Sequence, residues 1–107
     1  DSGVDMFDPR TQRFRRYEVT SQQPTNIRRP GVDSNNIVWV ATWGSKGMQN
    51  GALYRVDPES GAVRERKLGI PYANPYTVDA DERDDIWIAT DNYLVMYAQR
   101  DDRFTYY

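Results

Sequence analysis

Apolar residues in this chain come in short bursts rather than at the spacing of a helix. VDMF (4–7), FRRYEV (14–19), IVWVAT (37–42), ALYRV (52–56), VRERKL (63–68), IWIAT (86–90), LVMY (94–97) and FTYY (104–107) are rich in β-branched or aromatic residues. Each is bounded by Asp, Asn, Gly, Pro or Ser, the residues of turns. Two weaker bursts lie near 29–33 and 76–80. No apolar pattern at helical spacing is sustained over three turns. A strand about every ten residues, with turn chemistry between, predicts an antiparallel all-β fold.

The bursts also recur in order. IVWVAT (37–42) returns as DIWIAT (85–90), displaced by 48 residues, and LYRVDP (53–58) returns as VMYAQ (95–99), displaced by 41. The difference, 48 − 41 = 7, is a longer connection in the first copy, within WGSKGMQNG (43–51). The two ends match as well: DSGVDMFDPRTQRFRRY (1–17) laid over DNYLVMYAQRDDRFTYY (91–107) pairs Met6 with Met96, Phe14 with Phe104 and Tyr17 with Tyr107. A unit of about 40–45 residues carrying four strands is the period of a propeller blade. The predicted architecture is therefore about two and a half antiparallel four-stranded blades of an incomplete propeller. Residues 1–20 form the outer half of one blade, 21–68 a complete blade and 69–107 another.

Turn chemistry agrees with that layout. Asp-Pro at 8–9 and 57–58 predicts a tight turn between third and outer strands, with the Asp side chain bonding the backbone ahead of it. Trp39 and Trp87 hold equivalent second-strand positions, where a ring packs between neighbouring sheets. Because closure takes at least four blades, about 170 residues at this period, the chain is expected to complete itself with copies of itself or with the missing blades of a longer chain.

Composition narrows the chemistry. The 107 residues carry 14 basic and 16 acidic side chains, a net charge of -2, which gives no general attraction to nucleic acid. Twelve of the 14 basic residues are Arg, favouring planar hydrogen-bonded ion pairs over diffuse charge. The absence of Cys excludes disulfides and thiolate metal sites, and the absence of His removes the commonest general base. No run approaches the ~18 apolar residues of a membrane helix, so membrane insertion is not expected. No charged segment followed by an apolar stretch opens the chain, so no signal peptide is predicted. Nucleophile patterns such as G-x-S-x-G and phosphate-cradling Gly loops are missing.

With these motifs in view, the stretch RRPGVDSNNIVWVATWG…GALYRVDPESGAVRERKLGIPYANPYTVDADERDDIWIATDN resembles virginiamycin B (streptogramin) lyase-like proteins. Residues 1–17, partly kept at 91–107, resemble the propeller repeat of two-component sensor ectodomains. The first resemblance implies a seven-bladed propeller lyase using a His base and Mg²⁺ held by acidic residues. This chain has no His, so no catalytic residue is carried over. Tyr97-Ala98-Gln99 also departs from the aromatic-Asp-Pro turn of the pattern. The resemblance favours a periplasmic or extracellular location. It suggests a noncatalytic or ligand-binding module, with the alternative of a segment of a Mg-dependent carbon–oxygen lyase whose catalytic blades lie elsewhere. No cofactor is expected, Mg²⁺ entering only under the lyase alternative.

In a propeller the outer-to-inner and second-to-third connections share one face, where ligands often bind. Here these connections are 20–28, 43–51, 69–75 and 91–93. They carry Arg28, Trp43, Lys46, Met48, Tyr72, Asn74, Asp91, Asn92 and Tyr93, a set suited to a small anionic or aromatic ligand. Five of them have a structural counterpart role: Trp43 and Tyr72 as caps on sheet ends, Asp91 and Asn92 as hairpin residues, Arg28 as a partner for carbonyls or carboxylates. The acidic run Asp79, Asp81, Glu82, Asp84 and Asp85 invites a calcium reading but lacks the spacing of a calcium loop, and a solvated turn suits it better.

Overall fold

The computed structural model describes residues 3–19, 27–43, 50–71 and 74–107. Among them there is no helix, and so none long and apolar enough to cross a membrane. The strands are β1 (Gly3–Asp8), β2 (Arg13–Glu18), β3 (Gly31–Val32), β4 (Val38–Thr42), β5 (Asn50–Val56), β6 (Val63–Pro71), β7 (Pro75–Ala80), β8 (Ile86–Thr90), β9 (Leu94–Ala98) and β10 (Arg103–Tyr106). They form three antiparallel sheets of two, four and four strands: β1-β2, β3-β4-β5-β6 and β7-β8-β9-β10. Each sheet is a meander, every strand pairing with the next in sequence. All eight stronger bursts and both weaker ones are strands, though β3 is only two residues long and β6 continues past residue 68 to Pro71.

Alternation along the strands sends side chains to opposite faces, and the sheets stack through those faces. Tyr17 and Val19 meet Val40, Ala52, Tyr54 and Val56 between the first and second sheets. On its other face the second sheet presents Ile37, Trp39, Ala41, Leu53, Leu68 and Ile70 to Val78, Ile86, Ile88, Val95 and Tyr97 of the third. At the inner end of this second interface the backbones nearly touch. A Cβ on Gly31 would collide with the carbonyl oxygen of Val78 and come within 2.9 Å of its carbonyl carbon.

One turn design is used twice. The Asp33 carboxylate accepts hydrogen bonds from the backbone N–H groups of Asn35 (2.9 Å) and Ile37 (3.1 Å), and from Trp39 Nε1 at 3.0 Å. Asp81 does the same with Arg83 (2.8 Å), Asp85 (3.0 Å) and Trp87 Nε1 at 2.8 Å. Asn36 and Asp84, with φ of 61 and 60, take the left-handed position in the two turns, which short polar side chains tolerate. The acidic run is thus a hydrogen-bonded turn, with Asp81 as its centre. The two Asp-Pro turns bond as expected: Asp8 Oδ1 accepts from Arg10 N and Asp57 Oδ1 from Glu59 N, at 2.9 and 3.0 Å.

Trp39 and Trp87 differ in surroundings. Trp39 is buried against Tyr97, ring centroids 5.8 Å apart. Trp87 lies on the face of the third sheet away from Ile86 and Ile88, is half-buried, and stacks on Tyr107 at 6.0 Å. On the outer face of the first sheet, Phe7 and Phe14 pair at 4.9 Å and are 48% and 74% exposed.

Candidate functional site

The loop face gathers part of the expected set. Arg28, just before β3, places its guanidinium 4.6 Å from the ring centroid of Tyr76 on β7. The Tyr76 hydroxyl accepts a hydrogen bond from Asn74 Nδ2 at 3.3 Å, and Asn74 N donates to Asp91 Oδ1 at 3.3 Å. Three separate chain segments therefore converge in one contiguous chain of contacts, Arg28–Tyr76–Asn74–Asp91. Asn74 Oδ1 is buried with no hydrogen-bond donor among the described residues, a costly state for an amide oxygen.

The other expected residues stand differently. The β8–β9 turn is held by Thr90, whose N–H donates to Tyr93 O and whose hydroxyl bonds both Tyr93 O and Tyr93 N, all at 2.9 Å. That frees the Asp91 side chain for Asn74, while Asn92 and Tyr93 stand exposed. Trp43 is exposed at the end of β4. Lys46, Met48 and Tyr72 lie outside the described residues. Tyr76 was absent from the expected set. Its signal was present in NPY (74–76), where alternation from Asn74 puts Tyr76 on the same side of β7.

At the opposite end of the sheets lies a second concavity that the sequence reading passed over. Trp39, Leu53, Arg55, Arg64, Arg66, Tyr97, Gln99 and Asp102 line a cleft of about 130 Å³ between the second and third sheets. Asp102 Oδ1 accepts from Arg66 Nε at 2.8 Å and from the Tyr97 hydroxyl at 2.6 Å. The Arg66 and Tyr97 hydrogen bonds hold the Asp102 carboxyl below its usual range, and burial together with that carboxylate pushes the Tyr97 phenol up. Gln99 Nε2 donates to Asp33 Oδ2 (3.2 Å) and to Asp84 O (2.8 Å), and Ser34 bonds Asp84 through both its N–H and its hydroxyl. The Gln99–Asp33 and Ser34–Asp84 bonds cross from one sheet to the other and fix their relative position, while the Gln99–Asp84 bond ties two turns of the third sheet together.

No family model matches the chain, and no curated protein matches it. Among solved structures it resembles selenomethionine-substituted virginiamycin B lyase from Staphylococcus aureus, with a TM-score of 0.77 at 18% sequence identity over 99% of this chain. The chain has the fold of a propeller segment. It spans 34% of the length of that lyase. At this identity the likeness concerns the fold: all-β, four-stranded sheets stacked face to face. The streptogramin-lyase-like resemblance read from the sequence therefore holds at the level of architecture.

Proposed function

We propose that this chain is a noncatalytic, ligand-binding β-propeller module whose loop face holds a small anion bearing an aromatic ring. The observation carrying this is the convergence of Arg28, Tyr76, Asn74 and Asp91. A guanidinium over a ring supplies both charge and a stacking surface, and the buried Asn74 Oδ1 offers an acceptor for a ligand donor. Against a catalytic role, the chain has no His, and four described carboxyls, Asp33, Asp57, Asp81 and Asp102, are pushed down from their ordinary range. General acid–base work near neutral pH calls for a carboxyl pushed up. The lyase activity belongs to the similar protein.

Titration with benzoate, followed by the Asn74 side-chain amide signal in NMR, is expected to saturate. Arg28→Gln and Tyr76→Leu are each expected to weaken binding about tenfold, the size of a partly desolvated cation–π contact. A linear, unsaturating response, or equal binding by both variants, would overturn the ligand assignment. Incubation with virginiamycin B and Mg²⁺ is expected to leave the antibiotic unchanged; turnover would overturn the noncatalytic assignment.

The open sheet faces belong to the same proposal, and we assign copies of the chain to them. Inside the molecule the Tyr97–Phe104 pair (4.9 Å, 42°) covers Trp39. The exposed Phe7–Phe14 pair has nearly the same geometry (4.9 Å, 47°), and Trp87 holds in the third sheet the place of Trp39 in the second. A second copy can thus set Phe7 and Phe14 on Trp87 by the contact already used within one chain. Sedimentation at micromolar concentration is expected to give species larger than one chain, reduced by Phe14→Asp. A wild-type monomer would reject self-association.

A further inference from the structure

The inter-sheet cleft carries a charge arrangement that packing alone does not explain. β5 and β6 pair with Arg55 directly opposite Arg64, and Leu53 opposite Arg66. Like charges directly opposite on neighbouring strands repel. Neither the Arg55 nor the Arg64 guanidinium forms a hydrogen bond or ion pair with another described residue, although Arg64 lies near enough to help hold Asp102 low and Arg55 to do so for Asp57. Arg66 is different. Its Nε is committed to Asp102 and its NH1 to the carbonyl of Glu65 at 3.0 Å, so it stands as a fixed wall. The residues lining the cleft thus carry three guanidinium groups against one carboxylate, and that carboxylate is already occupied by Arg66 and Tyr97.

We propose that this cleft binds a tetrahedral oxyanion: phosphate, free or as the monoester of a small molecule. Facing guanidinium groups on adjacent strands offer planar forks of N–H donors, the geometry that holds phosphate oxygens in pairs. The buried Trp39 and Leu53 at the back of the cleft lower the local dielectric, strengthening each charged contact. The volume of about 130 Å³ admits a group of a few heavy atoms. A bound dianion converts the Arg55–Arg64 repulsion into a bridge. Because the cleft lies between two four-stranded sheets, it is complete within one chain and independent of the loop-face site.

The test is calorimetric titration of the full chain with inorganic phosphate at pH 7.5 and low salt, beside glycerol 3-phosphate. One saturable site is expected, weakened at least tenfold in Arg55→Gln and in Arg64→Gln and unchanged in Arg10→Gln, whose side chain lies 3.6 Å from Asp8 outside the cleft. Binding of inorganic phosphate alone identifies the free ion as ligand; binding of both shows that the monoester is accepted. Thermal melts separate this from a structural role. Without phosphate, both cleft variants are expected to melt at or above the wild-type temperature, because a like-charge pair has been relieved, and to lose the upward shift that phosphate gives the wild type. No saturation in the millimolar range, an equal loss in Arg10→Gln, or cleft variants that melt lower yet bind phosphate unchanged would each overturn the proposal.

Discussion

Asp33→Ala is expected to lower the melting temperature by roughly 15 °C. The carboxylate is 5% exposed and accepts from two backbone N–H groups, the Trp39 indole and Gln99. Alanine leaves the buried Ile37 N–H and Trp39 indole without an acceptor, while Asn35 is open to water and Gln99 keeps its bond to the Asp84 carbonyl; at about 1–3 kcal/mol per unmet buried donor a total near 3 kcal/mol follows. For a domain of this size that corresponds to about 4–8 °C per kcal/mol. Asp81→Ala is the internal control: the same turn and indole bond are lost, but Asp81 receives no cross-sheet amide and Trp87 is only half-buried, so the drop should be clearly smaller. Circular dichroism melts of both variants decide it, and equal losses would contradict the account. The same carboxylates set the acid limit. Burial alone would raise the Asp33 carboxyl, but the hydrogen bonds from Trp39, Ile37, Asn35 and Gln99 outweigh it and the net shift is downward. Asp81 is held low first by the Trp87 bond, Asp57 by Glu59 N and Asp102 by Arg66. With folded values below the unfolded value near ~3.9, the stabilisation is fully present above that pH and is lost as pH falls through the folded values. Melting temperature should therefore be flat from neutral pH to about 5 and fall steeply below about 4, and less steeply in Asp33→Ala.

Gly31→Val should be nearly as damaging for the opposite reason. The position has no room: its Cβ would meet the Val78 carbonyl and approach the Asp79 Cα to 3.2 Å, all backbone atoms that cannot rotate away. Relief requires the inner strands of the second and third sheets to separate, at a cost of about 1–3 kcal/mol for a methyl-sized intrusion and more for valine. The separation would also pull Ser34 from Asp84 and Gln99 from Asp33. The expected result is a melting temperature lowered by roughly 10 °C or more, with a weakened near-ultraviolet signal from Trp39. Native-like melting with an unchanged signal would show that the interface yields more easily than its geometry implies.

The strands were legible because each burst is short, β-branched or aromatic and fenced by turn residues; even GVD around 31–33 and YTVDA at 76–80 were visible as weak strands. The order of the sheets was legible from the recurrence of IVWVAT as DIWIAT. The role of the Asp33 and Asp81 carboxylates was not, because Asp in a turn reads equally well as solvated, and only the fold brings Trp39 and Trp87 back over the turn six residues on. Reading the connections picked out Arg28, Asn74 and Asp91, which the fold brings together, but not Tyr76, which joins them and was counted as strand. The arginine cleft was missed for a different reason. R-E-R at 64–66 reads as a polar outer strand, and the register that sets Arg55 across from Arg64 depends on the length of the turn between them, a property of the pairing rather than of any one burst.

The Asp-to-indole bond has a consequence for how such chains grow. It closes within seven residues of one strand pair and takes its acceptor and its donor from the same sheet. A duplicated gene segment would therefore carry its own fastening with it, while its apolar faces would still need a neighbouring sheet to cover them. The two copies keep that fastening in different surroundings: Trp39 is covered by the third sheet, whereas Trp87 is half-buried beside Tyr107.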